Sequence, residues 1–340
     1  MQVVLPIVEP IWAATLPGAG YEHHVVKFGG ECTAEEIDGL IAEGRRVAAR
    51  TVVGCGGGKC LDTARGAADQ LGAKMVNCPT AASTDAPCSS LSVVYTADGA
   101  FDHYRFYKSH PHLVLLDTSV IARAPVRLLV SGMGDALATY FEARATYEAH
   151  SNNMLGGKCT ITGLALAKLC YETLLADGYE ACSAVEVSRL HLWAKVVTPA
   201  LERIIEANTL LSGLGFECGG LAVAHAVHNG LTQAPGAHKM LHGEKVAFGT
   251  VTQLVLEGRP RAELDAVYTF CCRVGLPVTL EQLGVDAHDK ALLMAVAERA
   301  TQEGETCHSE PFQVTPLGVR DAMLAADRLG SSYMQAARAR

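Results

Sequence analysis

The 340-residue chain is poor in aromatic residues (6%) and in charge (19%). It has no Cys-x-x-Cys pair, no basic block and no long uncharged apolar run. The aromatic scarcity excludes a platform on which bases stack. Without clustered Lys and Arg, and at a net charge of −8, nucleic acid is excluded as a partner, because phosphate binding draws on such clusters. The twelve cysteines are scattered, with Cys55 and Cys60 flanking glycines and Cys271 beside Cys272. Disulfide frameworks belong to short secreted chains that cannot build a core, so most of these thiols read as small buried hydrophobes in a reducing cytosol. The stretch from Met1 to Gly18 is apolar but lacks a basic start and is interrupted by Pro6, Glu9 and Pro10, which argues against a secretory signal. No run of roughly 18 residues is continuously apolar enough for a spanning helix, so a cytoplasmic protein without a membrane partner is expected.

What is present is an apolar fraction of 49% and a length about twice that of an ordinary domain, so two cores are expected. Up to about residue 120, strand signals alternate with helix signals. Val3–Leu5 and Val25–Phe28 read as strands. Thr33 stands three residues before Glu36 as a capping box, followed by Ile37, Leu40, Ile41 and Ala48 at helical spacing. Thr51–Val53 reads as a buried strand, residues 59–71 as a helix and Met75–Cys78 as another strand. Ala97-Asp98-Gly99 turns a hairpin between Leu91–Tyr95 and Tyr104–Tyr107, and His112–Asp117 closes the set. Such alternation predicts a parallel sheet with helices on its faces. After Pro125 the strand signals vanish, and helices are expected over Leu128–Tyr147, Ile161–Leu175, Val185–Leu211 and Leu221–Gly230. The predicted fold is an α/β N-terminal domain, 1–123, followed by an all-α domain, 124–340.

Three segments carry chemistry. Gly54-Cys55-Gly56-Gly57-Gly58-Lys59-Cys60-Leu61-Asp62 lies between a strand and a helix. Glycines there let backbone N–H groups approach a phosphate at a helix N-terminus. The Walker A pattern fails at Val53 and Cys60, and the dinucleotide pattern G-x-G-x-x-G fails at Lys59. A phosphate site and a tight packing turn both remain open. The loop Pro79-Thr80-Ala81-Ala82-Ser83-Thr84-Asp85-Ala86-Pro87 follows the next strand, where ligands of open α/β sheets bind. In the helical half, Asp135 sits among small and apolar residues, His225 and His228 share one helical face, and His242 follows. A carboxylate and imidazoles so placed suit a divalent metal with an open position. Hydrogen-bonded core histidines and a helix-capping Asp135 are the alternative.

Taken together these segments resemble the iron-containing (group III) alcohol dehydrogenase superfamily and, within it, the glycerol dehydrogenases. The likeness is carried by Gly56-Gly57-Gly58-Lys59 with Asp62, by Pro79-Thr80 through Pro87, and by Gly134–Arg144. It continues through Val197–Leu201 with Glu206–Glu217, through the His225/His228 segment, and through His242–Gly249. It runs from about Val3 to Ser332. The resemblance implies a dinucleotide-binding α/β domain, a helical domain and an active site in the cleft between them. Its metal ligands fall on Asp135, His225 and His242. Iron enzymes carry a further His where this chain has Thr139, so a three-ligand zinc site is implied. Asp85 falls on the substrate-contacting acid. Gly56, Gly57, Gly58, Lys59 and Cys60 fall on the pyrophosphate loop. Asp62, Thr80, Ser83, Ser89, Leu91, Val93 and Tyr95 fall on positions that contact the nucleotide. His228 would pass a proton outward, or pack behind the ligands.

The implied reaction moves hydride from C2 of glycerol, or a related vicinal diol, to NAD, giving dihydroxyacetone and NADH, with zinc as Lewis acid. A homo-oligomer is implied by analogy. The alternatives are another metal-dependent polyol or glycerol-phosphate dehydrogenase, or a truncated non-catalytic paralogue. Relatives carry a strand and helix ahead of the first strand here, so these are expected to be missing and the neighbouring sheet edge exposed. Only Glu9 is offered as the acid that binds the adenine ribose, so NAD rather than NADP rests on the resemblance.

Overall fold

In the computed structural model the described residues are 1–4, 20, 22–191 and 196–338. Glu9, Pro6 and Pro10 therefore lie outside them. The N-terminal half holds a five-stranded, all-parallel sheet in the order β2-β1-β3-β4-β7. Its strands are β1 (Gln2–Val4), β2 (Val25–Lys27), β3 (Thr51–Gly56), β4 (Lys74–Pro79) and β7 (Leu113–Val114). β5 (Leu91–Tyr95) and β6 (Phe101–Phe106) form the expected antiparallel hairpin. β1 is paired on both sides, to β2 and β3, so the edge expected beside the first strand is covered.

Helix α1 (Ala34–Arg46) starts at Thr33, whose hydroxyl accepts the Glu36 N–H at 3.2 Å. The expected box is only half made. The Glu36 carboxylate accepts from the Gly29 N–H at 2.6 Å and so ties the helix back to the end of β2. Ile37, Leu40 and Ile41 are buried. Ala48 lies past the helix in a left-handed conformation (φ 48°) and is exposed, which corrects its placement on the apolar stripe. Helix α2 (Gly58–Leu71) follows β3 directly, with Gly57 as N-cap and left-handed Gly72 closing it. Its residues Cys60, Ala64, Ala67 and Ala68 share a core with Val52 and Met75 of the sheet.

The C-terminal half is built of α3 (Thr118–Ile121), α4 (Val126–Glu148), α5 (Ile161–Leu190), α6 (Pro199–Glu206), α7 (Ser212–Gly219), α8 (Val223–Leu231), α9 (His242–Leu256), α10 (Arg261–Val274), α11 (Lys290–Ala300) and α12 (Pro316–Arg338). The helix expected over Val185–Leu211 is broken. α6 begins afresh at Pro199, where Thr198 accepts the Leu201 N–H at 3.2 Å and proline at the first position needs no N–H partner. A π-helical turn, Ala207–Leu211, then joins α6 to α7. There the buried Asn208 amide donates to the carbonyls of Ala82 (2.9 Å) and Leu129 (3.1 Å), fastening this turn to the sheet half. Such turns interrupt helices mostly where function needs a side chain re-aimed, and here the next residue is Ser212.

All twelve cysteines are free and eight are buried, as expected of small hydrophobes. Among the described residues no single helix is long and apolar enough to cross a membrane.

Candidate active site

Helices α4, α8 and α9 meet backbone against backbone at three glycines. A Cβ on Gly134 would overlap the carbonyl oxygen of Gly243, and one on Gly243 that of Ser131. A Cβ on Gly249 would overlap the Ala224 carbonyl. Each contact is one step from a site residue: Asp135 follows Gly134, His242 precedes Gly243, and His225 follows Ala224. Gly220, at φ 108°, lets the chain reverse between α7 and α8 where a side chain would also meet Thr146.

The result is a triad. One ligand atom from each of Asp135, His225 and His242 lies within 4.8 Å of the others. His242 Nε2 stands 3.1 Å, and His225 Nε2 3.4 Å, from Asp135 Oδ1. Asp135 Oδ2 is buried without a hydrogen-bond partner. Asp135 is in the middle of α4, so it is not a cap. His225 Nδ1 faces Glu142 Oε2 at 2.6 Å, and a carboxylate only accepts, so the ring presents Nε2 to the triad. Glu142 Oε1 also accepts the N–H groups of Ala222 (2.8 Å) and His225 (2.9 Å), which fixes the start of α8.

Burial opposes ionisation of Asp135, but the His242 and His225 rings outweigh it and hold its pKa below the usual value. Burial alone would lower the His225 pKa, yet Glu142 and Asp135 raise it well above normal. Three groups whose ligand atoms are acceptors, sharing one buried point with an orphaned oxygen, fit a divalent cation. Thr139 is not among them: its hydroxyl lies 3.0 Å from Ser212 Oγ, which in turn donates to Asp85 Oδ2 at 2.8 Å.

Asp85 faces the triad from the sheet half. Burial, reinforced by Asp135, pushes its pKa well above the ordinary carboxylate value. A cleft of about 260 Å³ connects the parts. Of the expected residues it is lined by Asp85, Asp135, His242, Gly58, Lys59, Asp62, Ser83, Ser89, Leu91, Val93 and Tyr95. Gly56, Gly57, Cys60 and Thr80 are not in its wall. Gly56 ends β3, and its carbonyl accepts the Thr80 N–H at 3.0 Å. The Cys60 thiol points away, toward the Cys55 carbonyl, and is 1% exposed, so only its backbone can serve the loop. The Lys59 ammonium pairs with Glu31 at 2.6 Å and lies over the Tyr95 ring.

Asp62 has a second task. It accepts from Arg65 (2.7 Å) and from the Val93 N–H (3.0 Å), bracing α2 against β5. Burial, only partly offset by Arg65, moves its pKa up to about 6. His228 does not reach the cleft. It is buried, with Nε2 2.9 Å from His242 Nδ1 and Nδ1 3.1 Å from Asn229 Oδ1. Burial and the His242 ring lower its pKa well below normal. His228 therefore stands behind His242, away from the cleft.

The sequence reading missed the supporting groups Glu142, Ser212, Glu217 and Glu244. Glu217 accepts from the Ser90 hydroxyl (2.9 Å) and N–H across the two halves. Glu244 accepts the Leu241 N–H (2.7 Å) and pairs with Arg127 (2.6 Å), locking the turn that carries His242.

Comparison with known proteins places this architecture. The sequence profile described as iron-containing alcohol dehydrogenase matches residues 3–118, and the chain belongs to that family of oxidoreductases. The relatives it matches over nearly its whole length are more particular. It is 52% identical over 311 residues to the glycerol dehydrogenase of Citrobacter freundii, covering 92% of this chain and 83% of that protein. It is 48% identical over 329 residues to the glycolaldehyde reductase of Halobacterium salinarum, covering 97% and 88%. The crystal structure of glycerol dehydrogenase from Schizosaccharomyces pombe superposes with a TM-score of 0.90 at 38% identity, covering 99% of this chain and 84% of that one.

Proposed function

We propose that the chain is a zinc-dependent, NAD-linked glycerol dehydrogenase. In this reading it is organised as a nucleotide domain, 1–123, and a metal domain, 124–340, and works as a cytoplasmic homo-oligomer. The observation that supports it most is the convergence of Asp135 Oδ1, His225 Nε2 and His242 Nε2 beside the cleft. Those three side chains would hold the metal; Thr139 is committed to Ser212, and among the described residues the ligand group has three members, as in catalytic zinc sites. Bound there, zinc supplies Lewis acidity that lowers the pKa of a substrate hydroxyl, while NAD supplies the hydride acceptor.

The protein's own groups do the positioning. Asp85, steadied by Ser212, accepts a substrate hydroxyl opposite the metal ligands. The backbone of Gly58, Lys59 and Cys60 at the start of α2 faces the nucleotide phosphates. Asp62, Ser83, Ser89, Leu91, Val93 and Tyr95 wall the nucleotide, with Gly56, Gly57 and Thr80 shaping the turn beneath. Among the described residues Lys59 is the only Lys or Arg lining the cleft, which favours an unphosphorylated polyol over a glycerol phosphate.

The test is NADH formation from glycerol, abolished by a strong chelator and restored by zinc, with elemental analysis of the purified protein. Full activity in metal-free protein, or preference for glycerol 3-phosphate, would reject the proposal. Because one relative is a glycolaldehyde reductase, glycolaldehyde reduction by NADH belongs in the same assay.

A further inference from the structure

His225 takes its orientation from a carboxylate that it touches. His242 touches none beyond the triad, yet a chain of three links leads from it to one. His242 Nδ1 lies 2.9 Å from His228 Nε2, and His228 Nδ1 lies 3.1 Å from Asn229 Oδ1. The Asn229 amide donates to Glu305 Oε2 at 3.0 Å, and Glu305 Oε1 is paired with Arg299. Thr306, next in sequence, donates to the Ala222 carbonyl at 2.6 Å, which pins this segment to the start of α8. Asn229, His228 and Glu305 are nearly enclosed, at 2%, 6% and, for the Glu305 side chain, 8% exposure.

We infer that Asn229 and Glu305 are positioning residues that set the tautomer of His242 through His228, so that Nε2 of His242 is left bare for the metal. The logic runs inward from Arg299. A carboxylate has no proton to give, so Glu305 must face the NH₂ side of Asn229. That turns Asn229 Oδ1 toward His228, which fixes a proton on His228 Nδ1. His228 Nε2 is then an acceptor, and the single proton between the two rings belongs to His242 Nδ1. The ring's other nitrogen, Nε2, is then the one turned to Asp135 Oδ1 and the shared point of the triad. The His225 arm reaches the same state in one step through Glu142. Outer partners of this kind raise ligand basicity as well as fixing direction.

The inference rests on the metal reading proposed above, and its test separates the two. Zinc affinity is measured by competition with a chromophoric chelator, and ring protonation by ¹⁵N NMR of zinc-free protein labelled at histidine. In the native chain, zinc binds, His242 Nδ1 carries a proton and His228 Nε2 does not. Asn229→Leu removes the acceptor and weakens zinc binding about 10- to 100-fold. Asn229→Asp combined with Glu305→Gln exchanges donor and acceptor along the same link and restores affinity to within about threefold of native. Glu305→Gln alone leaves an amide where the carboxylate oriented Asn229, and it is weaker than the pair. Should Asn229→Leu fail to fold, that single change and its rescue carry the same reading.

The inference is overturned by a folded Asn229→Leu protein with native zinc affinity, by a pair no better than its single changes, or by a bare Nδ1 on His242 in the native protein. A native chain that binds no zinc rejects the metal reading instead, and the ring protonation still decides the chain of links.

Discussion

Gly134 and Gly243 meet backbone against backbone where helices α4 and α9 cross, one residue from Asp135 and one residue from His242. Two of the three candidate ligands are thus placed by residues that have no side chain. Gly134→Ala would have to drive the helices apart, because the opposing atom is a carbonyl oxygen rather than a flexible tip. Overpacking of this kind costs about 1–3 kcal/mol. A separation of even a few tenths of an ångström also spreads the triad. The expected outcome is a lower denaturant midpoint together with a loss of zinc affinity of roughly tenfold or more. Native zinc affinity in Gly134→Ala would show that the crossing does not set the site.

Glu142 offers a sharper experiment. Its Oε2 accepts from His225 Nδ1 at 2.6 Å while Oε1 accepts two backbone N–H groups. Glu142→Gln keeps the size and keeps one oxygen for the backbone, but it turns an NH₂ toward His225. The ring would then accept at Nδ1 and carry its proton on Nε2, where the metal must bind. Zinc affinity is expected to fall about 10- to 100-fold with little change in helix content by circular dichroism. Asp135→Asn and His225→Ala should abolish metal content and activity together. Metal retained in His225→Ala would mean the ligand is misassigned.

How much of this was legible beforehand follows from range. Strands β3 and β4, the β5–β6 hairpin and helix α2 are dictated by neighbours in sequence: β-branched runs, a glycine cluster and an Asp-Gly turn. Asp135, His225 and His242 stood out because ionisable residues among small apolar ones are costly to bury without purpose. Glu142 carried the same signal seven residues after Asp135, on the same helical face, and it was passed over. The break within Val185–Leu211 was also signalled, by Thr198 capping Pro199. The π turn at Ala207–Leu211 was not legible, since it is held by Asn208 reaching residues 126 and 79 positions away. The partners of Ser212, Asn229 and Glu217 were hidden for the same reason.

Asp85 should separate substrate from cofactor. It lines the cleft opposite the triad and is held by Ser212 at 2.8 Å. Asp85→Ala removes a hydrogen bond to a substrate hydroxyl and leaves that hydroxyl without a partner in a buried site, at a cost of about 1–3 kcal/mol. The KM for glycerol is expected to rise roughly 10- to 100-fold, while the KM for NAD changes by less than about threefold. Equal rises in both, measured by initial rates of NADH formation, would place Asp85 in the nucleotide site.

Glu310 predicts a pH dependence of stability with an unusual sign. Its side chain is buried beside the Val223 N–H and has no side-chain hydrogen-bond partner. Burial, with Glu257 adding to it, moves its pKa up to about 9 from 4.5. Between those values the folded protein keeps a proton there that the unfolded chain has released. The contribution of Glu310 to folding is therefore fully present below pH 4.5 and is lost as pH rises toward 9, by about 1.4 kcal/mol per pH unit in the middle of that window. Glu310→Gln removes the titrating proton while leaving a similar shape. Measured by urea unfolding at pH 6, 7 and 8, its stability relative to native should grow with each step upward. Parallel curves for the two proteins would mean that Glu310 is ionised in the folded state after all.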